Sequence, residues 1–144
     1  MASENVAEEE DAGQLKLGSE FIRAKCLMNA EVALILDKKL ESLRENNVDP
    51  MLQLNSVLEK SLQYVKRFSR YQNPQAVKQV REALAGKGKL HEFEVCVIGN
   101  LAPDTVDEAK SLVPSLAMDC REPMIDDDQI EAMLQDLKTI RTFE

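Results

Sequence analysis

The sequence predicts an all-α fold. Its 144 residues include only five Gly and five Pro, no Trp and 4% aromatic residues, so Leu, Val, Ile, Met and Ala supply most of the apolar side chains. That composition favours helices over a sheet sandwich. Helix-start signals also recur along the chain, followed by apolar residues spaced three and four apart. We expect an N-terminal extended arm and a long helix that lead into a C-terminal helical bundle.

Capping residues divide the chain into six predicted helices. Asn29 is a good N-cap for the first helix, and Asp49-Pro50 places a cap and then a Pro where the second begins. Asn73-Pro74 repeats that signal for the third helix. A capping box, Thr105 to Glu108, opens the fifth helix, and the acidic run from Asp126 opens the last. The predicted helices span residues 30–45, 50–71, 74–85, 90–100, 105–113 and 127–141.

These elements fall into three segments. Residues 1–13 are charged and poor in core-forming side chains, which predicts a disordered acidic tail. Residues 14–72 form an arm with two helices that we expect to clasp a partner. Residues 73–144 form the helical bundle domain.

The arm carries an apolar stretch whose periodicity is ambiguous. Residues 22–28 alternate with the period of a strand, whereas residues 21–35 would equally form a helical stripe. We favour an extended segment that ends at Asn29. A lone strand cannot satisfy its own backbone hydrogen bonds, so it would pair with the sheet of another protein. The alternative is that the arm folds back on the bundle. The candidate partner-binding residues are Leu15, Leu17, Phe21, Ile22, Ala24, Cys26, Leu27, Met28, Val32, Ile35 and Leu36.

Charge is distributed unevenly along the chain. The net charge is −8, yet residues 60–91 hold eight Lys and Arg against one acidic residue. An acidic protein with one basic band is poorly suited to hold nucleic acid as a whole. The band could still contact a phosphate backbone or an acidic partner through Lys66, Arg67 and Arg70. We favour the simpler interpretation, a solvated helix face whose Lys and Arg stems cover apolar neighbours.

No set of residues assembles a catalytic, metal or cofactor site. His91 is the only histidine, and Cys26, Cys96 and Cys120 include no CxxC pair. The acidic run at 126–128 lacks the rest of a calcium loop. The odd, scattered cysteines favour a reducing compartment, cytosol or nucleus. The N-terminus does not resemble a signal peptide, and no apolar run is long enough to span a bilayer. We therefore predict a non-enzymatic interaction protein with no cofactor and no membrane contact.

The order and spacing of several stretches are more specific than any one motif. They are Asn29-Ala30-Glu31-Val32, Leu62 to Tyr71 (LQYVKRFSRY), Leu90 to Glu94, Gly99 to Pro103, Leu112 to Leu116, and the closing helix up to Phe143. Together they resemble the small stalk subunit, subunit four, of eukaryotic RNA polymerase II. The chain departs from that family in the Gly86-Lys87-Gly88 loop and at residues 117–125, which look variable.

The resemblance implies a non-catalytic subunit of DNA-directed RNA polymerase II. It implies a heterodimer with the larger stalk subunit, subunit seven, docked on the polymerase core. This stalk would assist initiation and handle nascent RNA, mainly through the partner, in the nucleus, with the cytoplasm as a second location. The resemblance also implies that residues 73–144 are similar to the helicase-and-RNaseD C-terminal domain. The alternative function is a free-standing helical nucleic-acid-binding module that uses the basic band at 60–91.

Overall fold

The part of the chain that the structure describes, residues 9–46 and 56–144 of a computed structural model, is built from helices. Two short 3-10 helices lie at Ala12–Gln14 and Pro114–Ala117. Within the described ranges there is no β-strand, and Asp11 and Lys16 form an isolated bridge. The predicted all-α fold is therefore confirmed. The α-helices are α1 Asn29–Glu45, α2 Ser56–Phe68, α3 Pro74–Ala85, α4 Glu92–Leu101, α5 Val106–Leu112 and α6 Asp127–Thr142.

Two predicted helix ends need correction. Met28, not Asn29, precedes the first turn of α1, because the Glu31 carboxylate accepts the Met28 N–H at 2.8 Å and so satisfies the helix start. Helix α2 ends at Phe68 rather than at residue 71. Tyr71 lies beyond the helix and is buried in the core, with only 2% of its surface exposed. The predicted start of this helix at Asp49-Pro50 lies outside the described residues.

Helices α1 and α2 pack against each other as an antiparallel hairpin. Ala30 and Ala33 on α1 and Val65 on α2 are buried. Small Ala side chains allow two helices to approach closely, and the Lys66 Nζ lies 2.7 Å from an Asp37 carboxylate oxygen across the hairpin. The segment 14–72 therefore has two parts, a stretch that precedes α1 and ends at residue 28, called the arm from here on, and the pair of helices α1 and α2.

The bundle of α3 to α6 encloses the main core. Its helices contribute apolar side chains at the spacing of one helical face, and each such side chain contributes about 1.5–3 kcal/mol when fully buried. The apolar stripe of α6 consists of Ile130, Met133, Leu134, Leu137 and Ile140, and all but the partly buried Ile140 are at most 5% exposed. The members of this core on α3 and α4 are Val77, Val80, Leu84, Val95, Cys96 and Ile98.

The expectation that the apolar arm has no core to enter within its own chain is wrong at Met28. This residue is only 1% exposed and belongs to the bundle core. Gly99 makes room for it, because a Cβ at position 99 would lie 2.2 Å from the Met28 sulfur. The alternative in which the arm folds back on the bundle therefore describes its C-terminal end.

The described part of the predicted acidic tail also packs on the bundle. Asp11 accepts the Gly13 N–H and exchanges two backbone hydrogen bonds with Lys16 in a compact turn. Gly13 lies against the Pro114 ring at the start of the second 3-10 helix. Residues 1–8, the rest of that tail, lie outside the described residues.

A buried ion pair holds the loop 117–125, one of the two places where the chain departs from the family it resembles. Glu94 is fully buried, and its carboxylate accepts hydrogen bonds from Arg121, Ser115 and the His91 N–H. The Arg121 Nη2 lies 2.6 Å from Glu94 Oε2 and 2.6 Å from the Lys89 carbonyl. The loop 117–125 is therefore anchored in the core by its one arginine.

Removing one partner of this pair should destabilise the fold strongly. Glu94→Gln leaves the Arg121 guanidinium buried without its counter-charge, which typically costs about 3–5 kcal/mol. We expect that loss in the free energy of unfolding, measured by urea denaturation followed by circular dichroism. Glu82→Gln is the control, because its pair with Lys78 is largely exposed and should contribute under ~1 kcal/mol. Equal losses in the two variants would contradict a buried ion pair.

The same pair predicts a loss of stability in acid. Burial raises the pKa of Glu94, but hydrogen bonds from Arg121, Ser115 and the His91 N–H outweigh it and hold the pKa below its ordinary value of 4.5. Because the pKa of Glu94 is lower in the folded chain than its ordinary value of 4.5, the ionised carboxylate stabilises the fold above pH 4.5. This stabilisation is lost as the pH falls through the pKa of Glu94 in the folded chain. Urea unfolding at a series of pH values should show this decline, and Glu94→Gln should flatten it. An unchanged slope in that variant would show that other carboxylates dominate.

Candidate partner-binding surface

The arm presents an apolar surface to solvent ahead of α1. Phe21, Ile22 and Leu27 are 57%, 67% and 52% exposed, respectively. Residues 19–23 form turns, and residues 24–28 have no regular structure. Large apolar side chains grouped in this way are typical of a protein-interaction site.

The structure divides the predicted partner-binding residues into three sets: residues that contact the core, exposed residues and half-buried residues. Met28 points into the core, and Cys26 packs against that core while partly exposed. Ile35 on α1 is 52% exposed, as the arm residues are. The remaining predicted residues are half-buried: Leu15, Leu17, Ala24, Val32 and Leu36.

Arg81 on α3 attaches the arm to the bundle. Its Nε lies 2.8 Å from Glu31 Oε1, its Nη2 lies 2.9 Å from the Cys26 carbonyl, and its Nη1 lies 3.4 Å from a Glu92 oxygen. A guanidinium can make several such bonds at once because its donors are fixed in a plane. One side chain thus holds the arm, the start of α1 and the start of α4 together.

The charges at this junction stabilise each other. Partial burial raises the pKa of Glu31, but hydrogen bonds from Arg81 and the Met28 N–H outweigh it and hold the pKa below its ordinary value. Hydrogen bonding to Glu31 raises the pKa of Arg81 further above its already high value. Both groups therefore stay charged at neutral pH.

The predicted strand pairing is not available at Cys26. Its carbonyl accepts from Arg81, and its N–H donates to Glu92 Oε2 at 3.4 Å. Both backbone groups are thus engaged within the chain. A partner that binds the arm must mainly cover the exposed side chains at this point.

Sequence reasoning missed a second exposed apolar group, the aromatic pair at the end of α2. Tyr64 and Phe68 are 58% and 48% exposed, with ring centroids 4.9 Å apart. Phe68 continues the apolar 3-and-4 spacing of its helix, and this spacing alone predicts that it packs against a neighbouring element. The i, i+4 spacing of two aromatic residues was the available signal, because such side chains are neighbours on a helix surface.

The three candidate nucleic-acid contacts do not form one patch. Lys66 pairs with Asp37 and lines the groove between α1 and α2. The Arg67 guanidinium lies 5.5 Å from the Phe68 ring centroid, and Arg70 lines the same cleft as Arg67. Only two of the three positive charges are therefore directed to a common surface.

The remaining polar groups noted in the sequence have structural roles. The His91 Nδ1 accepts the Phe93 N–H at 3.1 Å as the N-cap of α4. Burial raises the pKa of the Cys96 thiol to about 11, so it is protonated at neutral pH and a poor nucleophile.

Among the described residues, no three His, Cys, Asp or Glu side chains are grouped to hold a metal ion. No described helix is both long and apolar enough to cross a bilayer.

Loosening the anchor should expose the arm without unfolding the bundle. Arg81→Met removes the bonds to Glu31 and Cys26, so trypsin should cleave faster after Arg23 and Lys25 than in the parent chain. Lys78→Met on the exposed face of the same helix is the control and should not change the cleavage rate.

Gly99→Ala gives an independent test of the same anchor. The added methyl group would collide with Met28, so it should also speed cleavage within the arm. Unchanged cleavage in both the Arg81 and Gly99 variants would contradict the attachment described above.

Comparison with known proteins identifies sequences similar to this chain. Residues 26–141 match the family model described as RNA polymerase Rpb4. The chain is 58% identical to DNA-directed RNA polymerase II subunit 4 of Arabidopsis thaliana, covering 95% of this chain and 97% of the relative. It is 39% identical to RNA polymerase II subunit rpb4 of Dictyostelium discoideum, over 96% of this chain and 93% of the relative. It is 36% identical to the Arabidopsis subunit 4 of RNA polymerases IV and V, over 65% of this chain and 45% of that relative.

Proposed function

This chain belongs to the RNA polymerase Rpb4 family, and we propose that it is a non-catalytic subunit of DNA-directed RNA polymerase II. The identity of 58% to a polymerase II subunit, against 36% to a subunit of polymerases IV and V, supports the general polymerase over the specialised ones. The subunit associates with the polymerase core and therefore acts in the nucleus. A cytoplasmic location stays a prediction of the resemblance, as does the likeness of residues 73–144 to the helicase-and-RNaseD C-terminal domain.

The subunit forms a heterodimer with the larger stalk subunit, subunit seven, through its arm. The supporting observation is the exposed apolar group of Phe21, Ile22 and Leu27 beside the buried Met28. Burial of each large side chain contributes about 1.5–3 kcal/mol before the cost of ordering the interface. Because Met28 and Arg81 already fix one end of the arm, that ordering cost is reduced.

The heterodimer assists initiation and handles nascent RNA, with the partner making most contacts to RNA. The net charge of −8 supports this division, since an acidic chain repels a phosphate backbone. The alternative, a free-standing nucleic-acid-binding module, is weakened because Lys66 is paired with Asp37.

Two charges placed in the arm should abolish heterodimer formation. Ile22→Asp with Leu27→Asp puts carboxylates where the partner must bury apolar surface, while the chain should fold normally because both positions are exposed. Binding to the purified larger stalk subunit is measured by isothermal titration calorimetry. Point substitutions are preferred to deletion of residues 1–28, because the deletion would also remove Met28 from the core and so change the bundle itself.

Met124→Asp is the matched control, since Met124 is 59% exposed and lies outside the arm. It should leave the affinity nearly unchanged. Full-strength binding by the arm variant would show that the partner binds elsewhere. Absence of binding by the unmodified chain would overturn the heterodimer itself.

A further inference from the structure

A cleft of about 500 Å³ lies where the end of α2 and the start of α1 meet α4. It combines exposed aromatic rings, apolar side chains of α4 and two arginines. The residues that matter to its chemistry are Tyr64, Arg67, Phe68, Arg70, Val97 and Leu101.

Among the described residues, no carboxylate lines this cleft, although the chain contains 26 Asp and Glu. Three other clefts formed by described residues each include an acidic side chain. Asp37 lines the groove between α1 and α2, Glu131 lines the cleft beside α6, and Asp126 lines the one near Lys89. Arg67 and Arg70 therefore give this cleft a positive charge that a carboxylate of an occupant would complement.

Three side chains of the cleft, Tyr64, Arg67 and Phe68, already contact one another in the free chain. Tyr64 contacts Phe68, and the Arg67 guanidinium lies over the Phe68 ring. Tyr and Arg are over-represented among the residues that dominate binding energy at protein interfaces. Side chains that are already ordered lose less entropy on association, so the cleft is suited to bind a protein segment.

The cleft adjoins the arm surface. Asn29 lines it, and its N–H donates to the Asn100 side-chain oxygen at 2.8 Å, which ties the end of the arm to α4. Leu27, two residues earlier, is one of the exposed arm side chains. One partner can therefore cover the arm and enter the cleft.

A protein segment fits this cleft better than single-stranded nucleic acid does. Bases stack on open aromatic faces, but the Phe68 ring already has Tyr64 and Arg67 as neighbours. Val97 and Leu101 add apolar surface that a side chain can cover and a phosphate cannot.

We propose that this cleft binds a segment of the larger stalk subunit that carries apolar side chains next to a carboxylate. This inference rests on the proposed function, and it assigns the heterodimer a second contact, separate from the arm.

Charge removal in the cleft tests the proposal directly. Arg67→Gln with Arg70→Gln should weaken binding to the purified larger stalk subunit and make the dissociation constant less dependent on salt. Tyr64→Ser should weaken binding about thirtyfold, as expected for loss of a dominant interface residue. Lys60→Gln with Lys78→Gln is the matched control, because it removes two charges of the same basic band outside the cleft. The control should change the affinity less than about twofold.

Circular dichroism of each variant establishes that folding is intact, as expected for exposed positions. Unchanged affinity in the cleft variants, with binding still lost in the Ile22 and Leu27 variant, would overturn the cleft proposal and leave the heterodimer standing. Failure of the unmodified chain to bind would overturn the heterodimer instead.

Binding of a labelled single-stranded RNA 12-mer is measured in parallel. If Arg67→Gln with Arg70→Gln weakens RNA binding but not partner binding, the cleft is a nucleic-acid surface and the proposal is wrong.

Discussion

The Arg81 guanidinium is the interaction on which the placement of the partner-binding surface depends. From α3 it bonds to Glu31 at the start of α1, to the Cys26 carbonyl in the arm and to Glu92 at the start of α4. Without it, a short arm with little regular structure would sample many positions relative to the bundle, and binding would have to order it. With it, the arm leaves the bundle at a fixed point, and its apolar side chains stay exposed together.

This arrangement explains how a helical protein without a catalytic centre can have a specific role. The bundle is held together by its own apolar core and by the buried Glu94–Arg121 pair. The arm and the aromatic pair of α2 are left exposed, at a cost in solubility that a permanent partner would remove. Family membership places the chain in an RNA polymerase, and the exposed arm and aromatic pair are the surface that we propose for its partner.

Local signals predicted much of the fold from the sequence. The caps at Asn73, Thr105 and Asp126 each accept the expected backbone N–H, because capping depends on residues within one turn. The insertion of Met28 was not predictable in this way, since it requires Gly99, which is distant in sequence. The same holds for Glu94 and Arg121, each of which looks like a surface residue until the fold brings them together. At the interface, the apolar arm was visible in the sequence, whereas exposure of Tyr64 and Phe68 depends on how α2 packs.

Hydrogen–deuterium exchange tests the central claim, that one continuous surface of arm and cleft holds the partner. Exchange is compared between the free chain and its complex with the larger stalk subunit. The account predicts slower exchange on binding at residues 20–29 and 64–70, with little change in α5 and α6. Protection confined to α5 and α6, with the arm unchanged, would contradict it.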